Sequence, residues 1–156
     1  MKLTKAQSDH VEHAGRWWES NSAGSRTAGR MLGWLMICEP AHQSSSDLVE
    51  ALQSSPGSVS TQSRTLETLG LVERVTFPGD RQTYYQLRPK VWPEILWSEQ
   101  QRLEALRDLA AKARDIIPAE RPDRITDLER IAEFLVAEWP DLMERLNAYL
   151  EKETTS

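Results

Sequence analysis

The stretch Ser55-Pro56-Gly57-Ser58-Val59-Ser60-Thr61-Gln62-Ser63-Arg64 gathers groups suited to a polyanion. Gly57 lets backbone come close to a phosphate, and the start of a helix donates N–H groups there. Ser58, Ser60 and Thr61 are short donors and acceptors for phosphates or base edges. Arg64 can pair bidentately with guanine O6 and N7, worth about 1–3 kcal/mol of discrimination. Further on, Pro78-Gly79-Asp80-Arg81 sets Arg81 in a turn, with Arg74, Arg88 and Lys90 around it. The chemistry is recognition, not bond making. The competing reading is a solvated helix face followed by an ordinary Gly-Asp turn.

These residues need elements to hold them. A Ser before a Pro reads as an N-cap followed by the favoured first helical residue. Val59, Ser63, Leu66 and Leu69 then form one inward stripe, and Gly70 follows as a C′ glycine. The spacing predicts a helix over Pro56–Leu69. A shorter helix over Ser46–Gln53, capped by Ser45 or Ser46, precedes it across a turn. Leu71–Phe77 and Gln82–Leu87 have strand character around the Pro78–Arg81 turn. A hairpin directly after a helix-turn-helix is a wing. Upstream, Leu3–Ser20 reads as a helix with Val11, Ala14, Trp17 and Trp18 on a buried stripe. Asn21–Ser25 is a polar break, and Arg26–Cys38 is a second helix ended before Pro40. Downstream, Val91–Ile117 is a long helix with Trp92, Leu96, Leu103, Leu106, Ala110, Ala113 and Ile117 on one face. Ala119–Asp123 is a connector. Arg124–Glu138 and Asp141–Leu150 are helices kinked or broken apart at Pro140, and Glu151–Ser156 frays. The fold class is mainly α with a small β-hairpin wing. The expected organisation is an N-terminal packing and dimerisation helix (1–24), a winged helix-turn-helix (25–90) and a C-terminal helical dimerisation arm (91–156).

Composition narrows the classes. The 156 residues carry a net charge of −5, which at first argues against nucleic acid. The deficit is local. Residues 1–90 hold 10 Lys/Arg against 9 Asp/Glu, whereas residues 91–156 hold 9 against 15. The reading head is therefore slightly positive and the arm acidic. No apolar run approaches the ~18 residues of a membrane span, and the N-terminus lacks a signal-peptide core. The expected location is the cytoplasm, with no membrane partner. One cysteine, Cys38, excludes an intrachain disulfide framework.

The pattern resembles the MarR-type winged-helix regulators, in particular their GbsR branch. The similar stretches are Gly29-Arg30-Met31-Leu32-Gly33-Trp34-Leu35, then Ser55–Ser60 with Leu66-Glu67-Thr68-Leu69-Gly70-Leu71-Val72, then Pro78–Tyr85. They cover about residues 26 to 92. The resemblance implies a homodimeric, sequence-specific regulator of double-stranded DNA, usually a repressor released by a small ligand. It implies that Arg81 reaches the minor groove or flanking phosphates and that Asp80 holds a neighbouring arginine. Arg74, Arg88 and Lys90 become phosphate contacts, with a salt bridge to Glu73 or Asp80 as the rival for any one of them. Pro56 stands where relatives often carry a basic residue, which removes one phosphate contact. A symmetric dimer implies a pseudo-palindromic operator with half-sites roughly 34 Å apart.

Three further readings stay open. Of six tryptophans, Trp17, Trp18, Trp34, Trp92 and Trp97 lie on helices expected to converge. They are core packing, or an aromatic cage for a quaternary ammonium effector. His10, Glu12 and His13, or Cys38, Glu39 and His42, suggest a metal- or redox-responsive regulator, although no tight ligand spacing supports it. A winged helix used only for protein contacts is the third. No cofactor is expected. An enzyme is not expected either, because no nucleophile elbow, phosphate loop or metalloprotease pair is present.

Overall fold

The computed structural model describes residues 3–22, 24–118, 120 and 123–154. In chain order the elements are α1 (Lys5–Asn21), α2 (Arg26–Leu35), β1 (Gln43–Ser44), α3 (Ser45–Leu52), α4 (Pro56–Thr68), β2 (Val72–Val75), β3 (Tyr84–Leu87), α5 (Val91–Arg114) and α6 (Asp123–Thr154). They form two units, Met1–Val91 and Trp92–Ser156. The fold is the mainly helical winged helix-turn-helix expected, with one strand more than a hairpin. Parts of the expected break at Asn21–Ser25 and of the connector at Ala119–Asp123 lie outside the described residues. Among those described, no helix is long and apolar enough to cross a membrane.

The first unit is built on α2, whose apolar residues are almost all buried. Helix α1 lies close against it because glycines remove the obstacle. A Cβ at Gly29 would sit 2.4 Å from the Trp18 Cβ, and one at Gly33 would sit 2.5 Å from the Ala14 Cβ. Arg30 ties three helices together. Its Nε lies 2.7 Å from Glu12 of α1 and its Nη2 donates to the Leu52 carbonyl at the end of α3. A hydrogen bond from Arg26, with Arg30 adding to it, holds the Glu12 carboxyl below its usual range. Met31, Leu48, Leu52, Val59 and Leu66 complete a sealed core.

The sheet is antiparallel, in the order β1-β3-β2. Gln43 and Ser44 pair with Tyr85 and Tyr84, while Val72–Val75 pair with Leu87–Tyr84. Strand β1 was not expected, and it moves the cap of α3. The N-cap is Ser44, not Ser45 or Ser46, and it forms a capping box with Asp47. Sheet pairing holds Ser44 extended, as an N-cap must be. Gln43 is buried and accepts a hydrogen bond from the Trp34 indole at 3.1 Å.

The second unit consists of α5 and α6. Helix α6 continues through Pro140, so the chain is not broken there into two helices, and it continues past the expected frayed end to Thr154. Beside Pro140, the Trp139 indole donates to the Leu96 carbonyl of α5. Pro140 lacks the N–H that a helix interior uses, and the Trp139 bond ties that stretch of α6 to α5. Arg114 and Glu129 pair across the two helices. Trp92, Leu96, Leu106, Ile131, Phe134, Leu142 and Tyr149 stand exposed.

Candidate nucleic-acid interface

Helix α4 has one sealed side and one open side. Val59, Ser63 and Leu66 are buried. The Ser63 hydroxyl donates to the Val59 carbonyl at 2.8 Å, so a polar side chain sits in the core with its donor satisfied. Leu69, expected on the same stripe, is 55% exposed. The helix ends at Thr68 and Leu69 caps it with αR backbone at φ −76°. At about 3.6 residues per turn that position lies at the edge of the stripe of Val59, Ser63 and Leu66. The chain then turns away through Gly70 at φ 70°. Leu71 takes its place in the core, and its N–H closes on the Leu66 carbonyl at 2.9 Å.

The open side carries Gly57, Ser60, Thr61 and Arg64, all exposed, with Ser58 half-buried. The helix start is less rich in free donors than expected. Pro56 has no N–H, Ser58 N–H is capped by the Ser55 hydroxyl at 3.2 Å, and Val59 N–H bonds the Ser55 carbonyl. Among the described residues, only the Gly57 amide is left in that first turn to meet an anion. Thr61, Arg64, Thr65, Thr68 and Leu69 line a shallow groove of about 360 Å³ along this side.

The wing is ordered by polar contacts. Phe77-Pro78-Gly79-Asp80 closes a turn, with Asp80 N–H on the Phe77 carbonyl at 3.0 Å and Gly79 at φ 82°. The Asp80 carboxylate accepts from the Tyr84 hydroxyl at 2.7 Å and from Gln82 N–H at 2.8 Å. These bonds, the Tyr84 one foremost, hold its carboxyl below the usual range and push the Tyr84 phenol up. The resemblance gave Asp80 an arginine to hold; here it holds the turn that presents Arg81. Arg81 itself is exposed.

Of the expected phosphate contacts, Arg74 is exposed but already paired. It pairs with Glu67 of α4, not with Glu73 or Asp80, and lies over the Tyr85 ring at 5.9 Å. The pairing raises its pKa further. Arg74 therefore braces the recognition helix against the sheet. Glu73 is bonded instead by Gln86 across the strands. Arg88 is half-buried beside Gly70, and Lys90 is exposed at φ 58°. The structure thus gathers Ser60, Thr61 and Arg64 on one helix face and places Arg81 at the wing turn, while Asp80 and Arg74 support them.

Sequence reasoning missed one cluster. The His42 ring lies 4.6 Å from Phe77 and 5.2 Å from Tyr84, and Phe77 and Tyr84 are 5.3 Å apart. This packing ties the loop before α3 to the base of the wing. No local signal marks it, because the three rings come from separate segments.

The remaining candidates are placed as follows. Trp34 is fully buried and bonded to Gln43. Trp17 is 56% exposed and tilted against half-buried Trp18 at 6.4 Å. Trp92 and Trp97 are exposed on α5, in the second unit. Cys38 is buried, and burial pushes its thiol up to about 11. His42 is engaged with the wing rings and Glu12 with two arginines. Among the described residues, no three His, Cys, Asp or Glu side chains converge on a metal-sized site.

Several known proteins are similar to this chain. The HTH-type transcriptional regulator MmpR5 of Mycobacterium tuberculosis (strain ATCC 25618 / H37Rv) is 36% identical over 133 residues, covering 81% of this chain and 78% of its own. A transcriptional regulator of known crystal structure is 33% identical with a TM-score of 0.74, over 92% of this chain and 99% of its own. Wild-type MarR from E. coli, in its apo form, is more distant. It is 17% identical with a TM-score of 0.43, over 84% of this chain and 92% of its own. No family model matches. The identity to MmpR5, over four-fifths of the chain, decides the family: the chain belongs to the MarR-type winged-helix transcriptional regulators.

Proposed function

We propose that this regulator acts as a homodimer on a pseudo-palindromic operator in double-stranded DNA, as a repressor released by a small ligand. The observation that carries the reading is the two-sided α4. Its inner side is sealed by Val59, Ser63 and Leu66, and its outer side offers Ser60, Thr61 and Arg64. In the major groove that face meets base edges, with Arg64 on guanine O6 and N7 and the shorter side chains on bases or phosphates. Arg81 at the wing turn reaches the minor groove or the flanking phosphates. Gly57, Arg88 and Lys90 supply further backbone contacts. Arg74 and Asp80 act through the elements they brace.

The dimer is supported by the exposed apolar side chains of α5 and α6, which a second copy would cover. The acidic balance of residues 91–156 supports an arm held away from phosphate. For the effector, exposed Trp17 and half-buried Trp18 keep accessible ring surface for an aromatic cage, whereas Trp34 has no free face. Tryptophan quenching and operator release across a panel of quaternary amines test that cage, and silence in both assays removes it.

The test of the whole reading is selection of bound duplexes from random DNA at two salt concentrations. The expected result is an inverted repeat with half-sites about one helical turn apart. Affinity should fall with salt at a slope of about −0.9 per phosphate contacted. No enriched sequence would defeat the proposal.

A further inference from the structure

The four hydroxyl side chains along the open side of α4 are not equivalent. Among the described residues, the Ser60 and Thr61 hydroxyls make no internal hydrogen bond, so both are free to meet a polar partner. Thr65 and Thr68 differ. The Thr65 hydroxyl donates to the Thr61 carbonyl at 3.1 Å, and the Thr68 hydroxyl donates to the Arg64 carbonyl at 2.8 Å. Each hydroxyl has turned back on the helix and given up its only proton. Both residues remain exposed. What they keep for a partner is a γ-methyl and an acceptor oxygen, with no hydroxyl proton to donate. Thr65 and Thr68 share the groove with Arg64 and with Leu69, an exposed apolar residue directly after the helix. An open polar face thus carries an apolar ledge immediately beside its one arginine.

In the major groove a ledge of that kind has one natural counterpart. The C5-methyl of thymine is the only apolar group a base pair presents there in unmodified DNA. We propose that Thr65 is a specificity-determining residue that reads a 5-methylpyrimidine through methyl–methyl contact, next to the guanine bound by Arg64. Thr68 and Leu69 extend the same surface. The inference rests on α4 entering the major groove, as in the function proposed above, and adds the base class that it prefers.

The test removes one methyl from each side. Duplexes selected from random DNA are remade with each thymine replaced in turn by deoxyuridine, which deletes only the C5-methyl. Affinities are measured for the full chain and for its Thr65→Ser and Thr65→Val variants. Losing one buried methyl is worth about a fourfold change in affinity. At one thymine per half-site, deoxyuridine should weaken the full chain about fourfold per half-site. Thr65→Ser should weaken binding to the thymine duplex by a similar factor and bind the deoxyuridine duplex no worse than the full chain does. The two changes together then cost about fourfold per half-site, not about sixteenfold. Thr65→Val keeps a methyl on the groove and should keep the thymine preference.

A second arm replaces that thymine pair by a cytosine pair, plain or 5-methylated. Recovery on methylation assigns the contact to the methyl that thymine and 5-methylcytosine share, and no recovery confines the reading to thymine. Independent, multiplicative losses would overturn the inference, as would insensitivity to deoxyuridine at every thymine; in both cases DNA binding itself stands. Selection of no duplex at all would instead defeat the function on which it rests.

Discussion

The two units bury their apolar residues in opposite ways. In the first, Trp34, Met31, Leu48, Leu52, Val59 and Leu66 close on one another, and the helix-turn-helix is complete within itself. In the second, Ala110, Ala132 and Met143 are buried while Leu109, Ile116, Ile131, Phe134 and Tyr149 face outward. Apolar surface of that extent on a polar helix pair marks an interaction site. The contrast separates a reading head closed on its own core from an arm that, under the proposed dimer, a second copy covers.

The largest effect should come from the core of the first unit. Trp34→Ala removes the biggest fully buried side chain and strands the Gln43 side-chain carbonyl oxygen. Changes of this kind cost about 3–5 kcal/mol. Urea unfolding should show the first unit largely lost, while α5 and α6 keep their helical signal. Equal loss of helix from both units would break the contrast.

Next in size is the arm. Phe134→Glu with Ile131→Glu puts two charges on the exposed stripe. If a second copy covers it, dimer affinity should fall more than tenfold, because burying an unpaired charge is costly. Thermal stability of the first unit should stay within a few degrees. Sedimentation at micromolar concentration reads the mass, and an unchanged dimer would move the interface elsewhere.

Within the reading head, Arg64→Ala should cost about 1–3 kcal/mol on a selected duplex and relax the preference at one base pair. Arg74→Ala should leave that preference in place, because Arg74 is paired with Glu67. Its exposed ion pair contributes little to stability. A competition series over single-base variants separates the two arginines. Loss of base preference in Arg74→Ala would make it a reader and not a brace.

How much of this was legible depended on how local each signal is. The start of α4 could be read because Ser55, Pro56 and Ser58 are neighbours whose roles follow from backbone geometry. The outward positions of Ser60, Thr61 and Arg64 followed from helical spacing. Strand β1 could not be read: two residues form it, and their partners lie some forty positions away in Tyr84 and Tyr85. Hence the cap of α3 was placed one or two residues late. Arg74 was assigned to phosphate because its true partner, Glu67, lies in a different element. Pro140 suggests a kink or a break by itself, and the indole bond from Trp139 to Leu96 beside it cannot be read locally because it spans two helices. Leu69 falls on the stripe by 3- and 4-residue steps, yet as the αR cap of α4 it lies at the stripe's edge and stays exposed.

The smallest effect tests how the wing differs from the core below it. The wing turn is held by exposed polar bonds, chiefly from the Tyr84 hydroxyl to Asp80. Tyr84→Phe removes that bond and keeps the ring against His42 and Phe77. Because the lost bond favours the charged carboxylate, the Asp80 pKa should rise toward its ordinary value. The sign follows from linkage. A depressed carboxyl stabilises the turn at neutral pH and loses that contribution as pH falls through its folded pKa. In the native chain the loss comes below the ordinary carboxylate range; in Tyr84→Phe it should move up into that range. Side-chain NMR titration of Asp80 reads the shift directly. At neutral pH, operator affinity should drop only on the order of two- to threefold, as expected when an exposed contact is removed and the core is untouched. A loss as large as that of Arg64→Ala would mean that the wing, and not α4, dominates binding. An unmoved Asp80 titration would mean that the Gln82 amide alone holds the turn.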